Sequence, residues 1–470
     1  MNALGSIDGL SDSTTRPAGN KRLDEMNARF FVVKDSGKAF VGTFEQEHGR
    51  MKLELMAFGH FAMLLMNQKV KVKSREVPLG KWWLEHPKRR QYAGLIFQPG
   101  NNAPVIDGKL NLWRGWPFQP KGGDWSLLHE HIKTVVASNN DEAFEYIMNW
   151  LAWCVQHPDQ PAEVVLVMKG KKGTGKGTVG NAMRRLFGQH ALQISNAKHL
   201  VGHFNKHLRD CVLLFADEAF WPGDIASLGT LKRLVTEPTI FIEAKGRDGV
   251  EVPNTLHVIM ASNEDWVVPA GDYERRFVVL EVSDAKMQNK PWFRAINDQL
   301  ENGGYAALLH DLLHRDLTGF HPRELPECND LTSQQAQSLS PLDAWWVELL
   351  ERGALPGCDP KQPHMARSND WQEVIKNDMG GVVRTVMHPG VYTAARHMEP
   401  RLRNVSEHKL GRHLTQQGCT NDTKVLRQRG WTFPELSELR KKWEERFPGW
   451  RWRNPDLSQW EPDDGDVVPF

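Results

Sequence analysis

The sequence is poor in cysteine, has no long apolar run and carries almost no net charge. Its five cysteines are scattered without the close pairs of a zinc ribbon or a disulfide framework, so we expect reduced core thiols in a cytoplasmic protein. Apolar runs stay short of the ~18 residues of a membrane helix, and the polar first residues lack a signal peptide's apolar stretch. A formal net charge of +1 excludes a global basic field, so nucleic-acid binding would need local basic patches.

A glycine-rich loop is the strongest motif that is present. Residues 170–178 match the pattern GxxxxGK and stand between a strand-like apolar run at 164–168 and a helix-like stretch at 179–187. Backbone N–H groups of such a loop converge on phosphate oxygens, and the positive end of the following helix adds to the attraction. We expect Lys176 to reach the β- and γ-phosphates of ATP. The predicted nucleotide-binding residues are Gly170, Gly173, Thr174, Gly175, Lys176, Gly177 and Thr178.

One position departs from the commonest spelling of this loop. Gly177 stands where a hydroxyl residue usually follows the lysine, and Thr178 comes one place later. We therefore predict that Thr178 supplies the hydroxyl on the Mg²⁺ side. The same GKGT spelling is common in nucleoside monophosphate kinases, so the loop alone leaves both a kinase and a motor open.

Two further polar signals follow apolar runs of the sequence. Asp217 and Glu218 come after the run at 211–215, and Asn263 comes after the run at 256–260. Because ligands of parallel sheets bind at the carboxyl ends of the strands, these side chains should lie near the glycine loop. We expect Asp217 to hold Mg²⁺ and Glu218 to polarise the attacking water. Asn263 should hydrogen-bond the γ-phosphate or that water.

Two adjacent arginines, Arg275 and Arg276, precede a strand-like run at 277–282. A planar guanidinium that stays charged suits a phosphate whose charge spreads in the transition state. If a neighbouring subunit supplies this arginine, ATP hydrolysis depends on assembly of the ring. The sequence does not decide which arginine is the finger, and an ordinary surface pair stays open as the alternative.

A basic hairpin is predicted between the acidic pair and Asn263. The β-rich segments at 239–243 and 249–253 flank a turn that contains Lys245 and Arg247. Two basic residues on a loop inside a ring would grip the phosphate backbone of DNA. Basic hairpin tips also serve solubility alone, so both interpretations stay open.

The stretch from about residue 79 to 313 resembles the helicase part of phage, prophage and plasmid primase-helicases, superfamily 3 among helicases. The matching spellings are LGKWWLEH from residue 79, GKKGTGKGT from 170, FADEAF from 215, ASNEDW from 261 and RRF from 275. The resemblance implies a fold similar to AAA+ ATPases, hexameric rings and 3′-to-5′ movement on single-stranded DNA. It also implies that Lys245 is the lumen-hairpin lysine and Asn263 the sensor.

Many members of that family also carry a primase, and we predict none in this sequence. It has no CxxC ribbon, and its close D-x-D pair, Asp464 and Asp466, leaves no room for a catalytic domain. We therefore expect a separate primase or a replication initiator as a partner.

The predicted fold class is α/β, with a P-loop, AAA+-like core built on a parallel sheet. An α+β region and a helical collar precede this core, and a winged-helix domain follows it. In the N-terminal part, the alternation of charge and valine at 69–75 is typical of a strand with one basic face. The length fits about two to four domains. The predicted divisions are a disordered start at 1–20, an α+β domain at 21–126, a helical collar at 127–160, the ATPase at 161–317, a linker at 318–340, a basic winged-helix domain at 341–453 and a flexible acidic tail at 454–470.

The C-terminal domain is locally basic. Between residues 384 and 453 there are 15 Lys and Arg against 7 Asp and Glu, a local net charge of +8. A helix capped by Ser406 and Gly418, followed by a hairpin at 420–433, fits a winged helix. Winged domains also dock proteins, and that alternative stays open. The DNA-binding candidates are Lys409, Arg412 and His413 in the helix and Arg427 and Arg429 in the wing.

Together these features predict an ATP- and Mg²⁺-dependent hexameric DNA helicase of a mobile element, acting in the cytoplasm of a bacterial host near the nucleoid. Its partners would be single-stranded DNA and forked duplex, with no membrane. Three alternatives stay open: a P-loop nucleotide kinase, a protein-remodelling AAA+ ATPase, and a DNA-binding origin or defence module with little unwinding. A protein remodeller should present an aromatic residue at the hairpin tip, where this sequence has Lys245 and Arg247.

Overall fold

The computed structural model describes residues 18–47, 50–195, 205–218, 225–243, 249–263, 275–326, 339–353, 358–359, 362–366, 372–376, 382–421, 424–425, 428–447 and 450–460. Among these residues, no helix combines the length and the apolar character that crossing a membrane requires.

Helices flank the sheets along the whole described chain. The α-helices are α1 (Ala18–Arg29), α2 (Phe58–Leu64), α3 (Leu79–Glu85), α4 (Ser126–His131), α5 (Asp141–Gln156), α6 (Lys176–Phe187), α7 (Ile225–Thr236), α8 (Lys290–Gln299), α9 (Tyr305–His314), α10 (Pro341–Arg352), α11 (His388–Met398), α12 (Glu407–Gln417) and α13 (Leu436–Arg446). Two π-helical segments, Ile132–Val136 and Leu300–Gly304, continue α4 and α8.

The strands form several separate sheets. They are β1 (Phe30–Asp35), β2 (Lys38–Glu47), β3 (Arg50–Met56), β4 (Lys69–Val72), β5 (Arg75–Pro78), β6 (Gln91–Tyr92), β7 (Gly94–Ile96), β8 (Val105–Ile106), β9 (Lys109–Asn111), β10 (Val165–Lys169), β11 (Ala191–Ile194), β12 (Leu213–Asp217), β13 (Thr239–Ile242), β14 (Val250–Pro253), β15 (His257–Ser262), β16 (Phe277–Glu281), β17 (Cys358–Asp359), β18 (Gln362–Ala366), β19 (Gln372–Lys376), β20 (Val382–Met387), β21 (Lys424–Val425) and β22 (Gln428–Phe433).

A five-stranded parallel sheet lies at the centre, in the order β11-β12-β15-β10-β16. Its three inner strands are almost wholly buried and apolar, as strands covered on both faces must be. The apolar runs of the sequence therefore predicted the strands of this sheet correctly. The α/β class with a parallel sheet is confirmed.

Close packing holds α6 against this sheet. A Cβ atom at Gly180 of α6 would lie 2.4 Å from the ring of Phe215 on β12, so only glycine permits this approach. The same apolar core continues into α5, where the Trp150 indole donates to the carbonyl of Val164 at 3.1 Å. The helix that carries the glycine loop is thus fixed relative to the strand that carries the acidic pair.

The predicted helical collar is interrupted rather than continuous. After α4 and its π-helical segment, Ser138 and Asn139 take positive φ angles of 50° and 60°, which end the helix. The chain then begins α5, whose N-cap Asn140 accepts a hydrogen bond from the Ala143 backbone N–H at 2.8 Å. Apolar periodicity cannot reveal such a break, because both helices turn their apolar faces to one core.

The N-terminal region packs against the central sheet through a buried ion pair. Its mixed sheet has the order β3-β2-β1-β6. Asp35 at the end of β1 accepts two hydrogen bonds from the Arg209 guanidinium, at 2.8 and 3.1 Å. The single strand expected at 69–75 is wrong: Lys73 takes a φ of 54°, and the chain turns back to pair β4 with β5. The helix α1 begins at Ala18, inside the start predicted to be disordered, and residues 1–17 lie outside the described residues.

The C-terminal region has its own core. An antiparallel sheet, in the order β19-β20-β22-β21, accompanies α10 to α13. The predicted helix is α12, with Ser406 accepting from the Lys409 N–H and Gly418 at a φ of 102°. Within the segment predicted as a flexible tail at 454–470, Trp460 is buried in this core and its indole donates to the Pro434 carbonyl at 2.8 Å, whereas residues 461–470 lie outside the described residues.

Candidate functional site

The glycine loop runs from the end of β10 directly into α6. Gly173 and Gly175 take φ angles of 84° and 97°, which residues with a side chain rarely adopt. A Cβ atom at Gly175 would also lie 2.5 Å from the ring of Phe293 and 2.6 Å from that of His131. Backbone therefore lines this part of the loop, and α6 begins at Lys176 with its N-terminal end at the same place.

Three oxygen atoms hold the ammonium group of Lys176. It donates to the backbone carbonyls of Gly170 and Lys171 and, at 2.8 Å, to the side-chain oxygen of Asn263. Burial lowers the pKa of Lys176 from its ordinary value, and the nearby carboxylates of Glu218 and Asp217 oppose that shift. The loop thus presents a cation of fixed position.

The acidic pair stands at the end of β12. Burial raises the pKa of Asp217, the neighbouring Glu218 carboxylate raises it further, and Gln193 donates to it at 3.1 Å. Glu218 has a φ of 52°, an uncommon backbone conformation for a residue with a side chain. Its carboxylate accepts a hydrogen bond from the Asn263 amide. Asn263 therefore joins Lys176 to Glu218.

A buried histidine supports the loop, and sequence reasoning missed it. Trp292 of α8 donates to Nδ1 of His131 at 3.2 Å, so Nε2 carries the proton and faces the Gly175 carbonyl, also at 3.2 Å. Burial lowers the pKa of His131, which favours this neutral form. His131 is one of two histidines on α4, and no spacing in the sequence distinguishes it, so the sequence offers no signal for its role.

These elements enclose a cavity of about 400 Å³ beside the loop. One wall is the loop with α6, and the opposite wall is α8 with its π-helical continuation. The lining residues are Lys172, Gly173, Gly175, Lys176, Gly177, Thr178, Asn181, Ala182, Asp217, Glu218, Asn263, Phe293, Asn297, Leu300 and Tyr305. The structure thus brings the predicted loop, acids and asparagine together.

The two arginines lie at the amino ends of the parallel strands, opposite the carboxyl ends that carry the glycine loop and the acidic pair. Arg275 is exposed and Arg276 half-buried, and the Arg276 carbonyl accepts from the backbone N–H of Val165 at the start of β10. The glycine loop leaves the other end of β10, about 13 Å away at about 3.3 Å per residue. Neither arginine lines the cavity of its own chain.

The DNA-binding candidates divide into three groups. Lys245, Arg247 and Arg427 lie outside the described residues, although β13 and β14 pair as the predicted hairpin. Arg429 belongs to β22, opposite Lys424 of β21. On α12 the predicted candidates Lys409 and Arg412 are exposed.

The expectation that His413 faces DNA is wrong. Its ring is 7% exposed and packs edge-on against Trp346, with 6.1 Å between ring centroids. His413 follows Arg412 by one residue, and about 100° of helix rotation turns it into the core.

Comparisons with known proteins find a family model of unknown function and one phage protein. A family model described as a family of unknown function, DUF5906, matches residues 168–276. The DNA primase-polymerase of Nitratiruptor phage NrS-1 is 27% identical over 208 residues, which are 43% of this chain and 29% of that protein. The chain thus matches less than a third of that relative's length.

Solved structures of the NrS-1 C-terminal region resemble the chain over most of its length. One apo structure has a TM-score of 0.60 at 16% identity and covers 86% of this chain and 95% of its own. An A-form apo structure has the same TM-score at 15% identity, with 86% and 96% covered. At these identities the likeness establishes a shared fold, a mixed α/β architecture around a parallel sheet.

Proposed function

We propose that this chain is an ATP-driven DNA translocase of the superfamily 3 helicase type, acting in replication of a phage or related mobile element. The observation that carries the proposal is the chain of hydrogen bonds from Lys176 through Asn263 to Glu218. It combines a cation for the β- and γ-phosphates, an amide at the γ-phosphate position and a carboxylate for the attacking water. A P-loop ATPase of AAA+ type needs these three groups at one sheet edge.

The cavity fits a magnesium nucleotide. The positive φ angles of Gly173 and Gly175 and the start of α6 at Lys176 give a loop with exposed backbone N–H groups and a helix N-terminus, which favour phosphate oxygens. Asp217 and Glu218 are adjacent carboxylates at the end of β12, and carboxylate oxygens are ligands that Mg²⁺ prefers. Thr178 and Asp217 would hold Mg²⁺, which neutralises charge on the phosphate oxygens when bound.

The position of the arginines supports a ring. Arg275 and Arg276 lie across the sheet from their own cavity, so a phosphate contact by either would have to be made in a neighbouring subunit. Head-to-tail homo-oligomers of this kind form rings when the rotation between neighbouring subunits closes. We assign a hexamer by resemblance to superfamily 3.

The proposal gives DNA contact to two elements. The β13–β14 hairpin would place Lys245 and Arg247 in the ring lumen, and the C-terminal region would act as a winged helix. Its exposed Lys409 and Arg412 on α12 would capture DNA. The relative's name includes priming and polymerisation, and we assign these activities to a separate protein rather than to this chain.

The deciding experiment measures ATP hydrolysis and strand displacement by the purified chain. We expect hydrolysis that single-stranded DNA stimulates and unwinding of a forked duplex, with Glu218→Gln as the inactive control. Stimulation by DNA without strand displacement would favour an origin-binding or defence ATPase. ATP-dependent phosphorylation of a nucleoside monophosphate, without an effect of DNA, would replace the proposal by a nucleotide kinase.

A further inference from the structure

His131 lies behind the glycine loop rather than in the cavity. Its ring is fully buried and packs edge-on against Phe293 of α8, with 5.7 Å between ring centroids. Of the described residues that line the cavity, Gly175 is one and His131 is not, although the two are in contact. An effect of His131 on ligand binding would therefore have to pass through the loop.

The hydrogen bond from His131 acts on one peptide group of the loop. Its Nε2–H donates to the Gly175 carbonyl at 3.2 Å, and the Thr178 backbone N–H donates to the same oxygen at 2.9 Å. A trans peptide is planar, so its carbonyl and its N–H point in opposite directions. Because the Gly175 carbonyl points to the buried side, the N–H of Lys176 in the same peptide points away from it. Lys176 begins α6, so this N–H has no partner within the helix.

A second carbonyl of the loop is held from the same side. The Gln288 backbone N–H donates to the Gly173 carbonyl at 2.9 Å. The same rule directs the N–H of Thr174, which belongs to that peptide, away from Gln288. Gln288 lies just before α8, and Trp292, which binds His131, lies in the first turn of that helix. One short stretch, 288–292, thus orients two peptides of the loop.

Trp292 determines which nitrogen of His131 carries the proton. An indole N–H can only donate, so Nδ1 accepts at 3.2 Å and the proton lies on Nε2. The other tautomer would turn a lone pair of Nε2 toward the Gly175 carbonyl, and two acceptors repel. Trp292 is itself fixed, because its backbone N–H donates to the cap residue Asn289 at 3.1 Å and the Lys286 ammonium lies 4.3 Å from its ring centroid.

We propose that His131 is a positioning residue of the phosphate site. It holds the Gly175 carbonyl so that the N–H of Lys176 is directed at the phosphates of the nucleotide, and Trp292 keeps it in the donating tautomer. This inference rests on the proposed function and assigns part of the phosphate affinity to a side chain that touches no ligand. A histidine that only fills space would behave differently, because an apolar side chain of similar size would then serve as well in the core.

The test measures equilibrium binding of ATP and of inorganic tripolyphosphate, each with Mg²⁺, to the full chain. His131→Leu keeps apolar volume and removes the donor. It should weaken both ligands about tenfold, because a hydrogen bond to a charged phosphate is misplaced. His131→Gln should recover affinity to within about threefold of the parent, since its amide nitrogen can donate to the Gly175 carbonyl. The matched control is His129→Leu: His129 is an exposed histidine of the same helix, packed on Trp125, and its loss should change neither affinity.

A second variant tests the tautomer. Trp292→Phe keeps a ring in place and removes the indole N–H, so it should weaken both ligands severalfold. Combined with His131→Leu it should cost nothing further, because residues that act through one another are not additive. Nitrogen NMR of the parent His131 ring should show the proton on Nε2. Trp292→Phe and the NMR measurement carry the test if His131→Leu does not fold.

Parent affinity in His131→Leu, in a chain that denaturant unfolding shows to be folded, would overturn the proposal. An equal loss in His129→Leu would also overturn it, because the effect would then belong to α4 as a whole. Additive losses for Trp292→Phe and His131→Leu, or a proton on Nδ1, would do the same. A parent protein that binds neither ATP nor tripolyphosphate would instead contradict the proposed function itself.

Discussion

The ammonium group of Lys176 donates a hydrogen bond to the side-chain oxygen of Asn263 across 2.8 Å, although 87 residues separate them in the sequence. The contact exists because β10 and β15 are adjacent parallel strands, so that their carboxyl ends meet. The amide group of Asn263 donates in turn to Glu218. A phosphate that draws Lys176 toward itself would therefore be sensed at the carboxylate that we propose activates the water.

This network predicts different phenotypes for its two charged ends. Lys176→Ala should abolish hydrolysis and weaken ATP binding, because the β- and γ-phosphates lose their direct cation. Glu218→Gln should bind ATP as the parent does but stop turnover, because only activation of the water is lost. Equilibrium binding and steady-state hydrolysis measure the two effects. Hydrolysis at the parent rate by Glu218→Gln would remove Glu218 from the mechanism.

The arginines can be tested by mixing subunits. Loss of an arginine finger costs about a thousandfold or more in turnover. An Arg275→Ala or Arg276→Ala subunit mixed with a Lys176→Ala subunit should recover part of the ATPase, since each supplies what the other lacks. We expect recovery for one arginine only. Intact rings without recovery for either variant would contradict catalysis between subunits.

A buried histidine predicts loss of stability in acid. His190 is fully buried, accepts from the Arg114 N–H at 3.0 Å and faces the Asp210 carbonyl at 2.8 Å. Burial lowers its pKa to about 4, so below pH ~6.5 the unfolded chain binds a proton that the folded chain refuses. The free energy of unfolding should fall between pH 6.5 and 4, by up to about 3 kcal/mol from this residue. His190→Gln, measured by denaturant unfolding, should show a shallower decline, and an unchanged decline would contradict the assignment.

The ion pair between the N-terminal region and the central sheet predicts a large effect on stability. Asp35→Ala leaves the guanidinium of Arg209, 16% exposed, without this carboxylate, and should cost about 3–5 kcal/mol of unfolding free energy. Glu25→Ala is the matched control, because the Arg22–Glu25 pair is exposed and worth at most about 1 kcal/mol. Similar losses in both variants would show that the buried pair has no special role.

The sequence predicted the elements whose signals are local. Buried parallel strands appear as continuous apolar runs, and helix ends carry their caps, so the loop at 170–178 and α12 were placed correctly. Such patterns fix where an element begins and ends, because they depend on neighbouring residues only.

Features that depend on tertiary contacts could not be predicted. His131 acts through Trp292, which is 161 residues away, and no spacing connects them. The prediction that His413 faces DNA was wrong for a similar reason. The basic character of the helix suggested a DNA contact, whereas the rotation of the helix places the His413 ring in the core.

The last prediction concerns how force reaches DNA. Lys245 and Arg247 stand between β13 and β14 in the sequence, outside the described residues, and as the proposed hairpin tip neither is expected to contact nucleotide. Replacing both with alanine should spare basal ATPase, remove stimulation by single-stranded DNA and abolish unwinding. The slope of log affinity against log salt should flatten by about 1.4 units, at about 0.7 per phosphate contact on single strands.

Two further basic pairs serve as the controls for that experiment. Lys409→Ala with Arg412→Ala removes two exposed charges from α12, and Arg427→Ala with Arg429→Ala removes two from the wing. Both should weaken the first capture of DNA, because we propose that the C-terminal region contacts DNA outside the ring, and leave movement of a pre-loaded ring nearly intact. Unwinding of a forked duplex at the parent rate by the Lys245 and Arg247 double variant would remove the hairpin from the mechanism. In that case the helicase assignment would depend on the nucleotide site and on family resemblance alone.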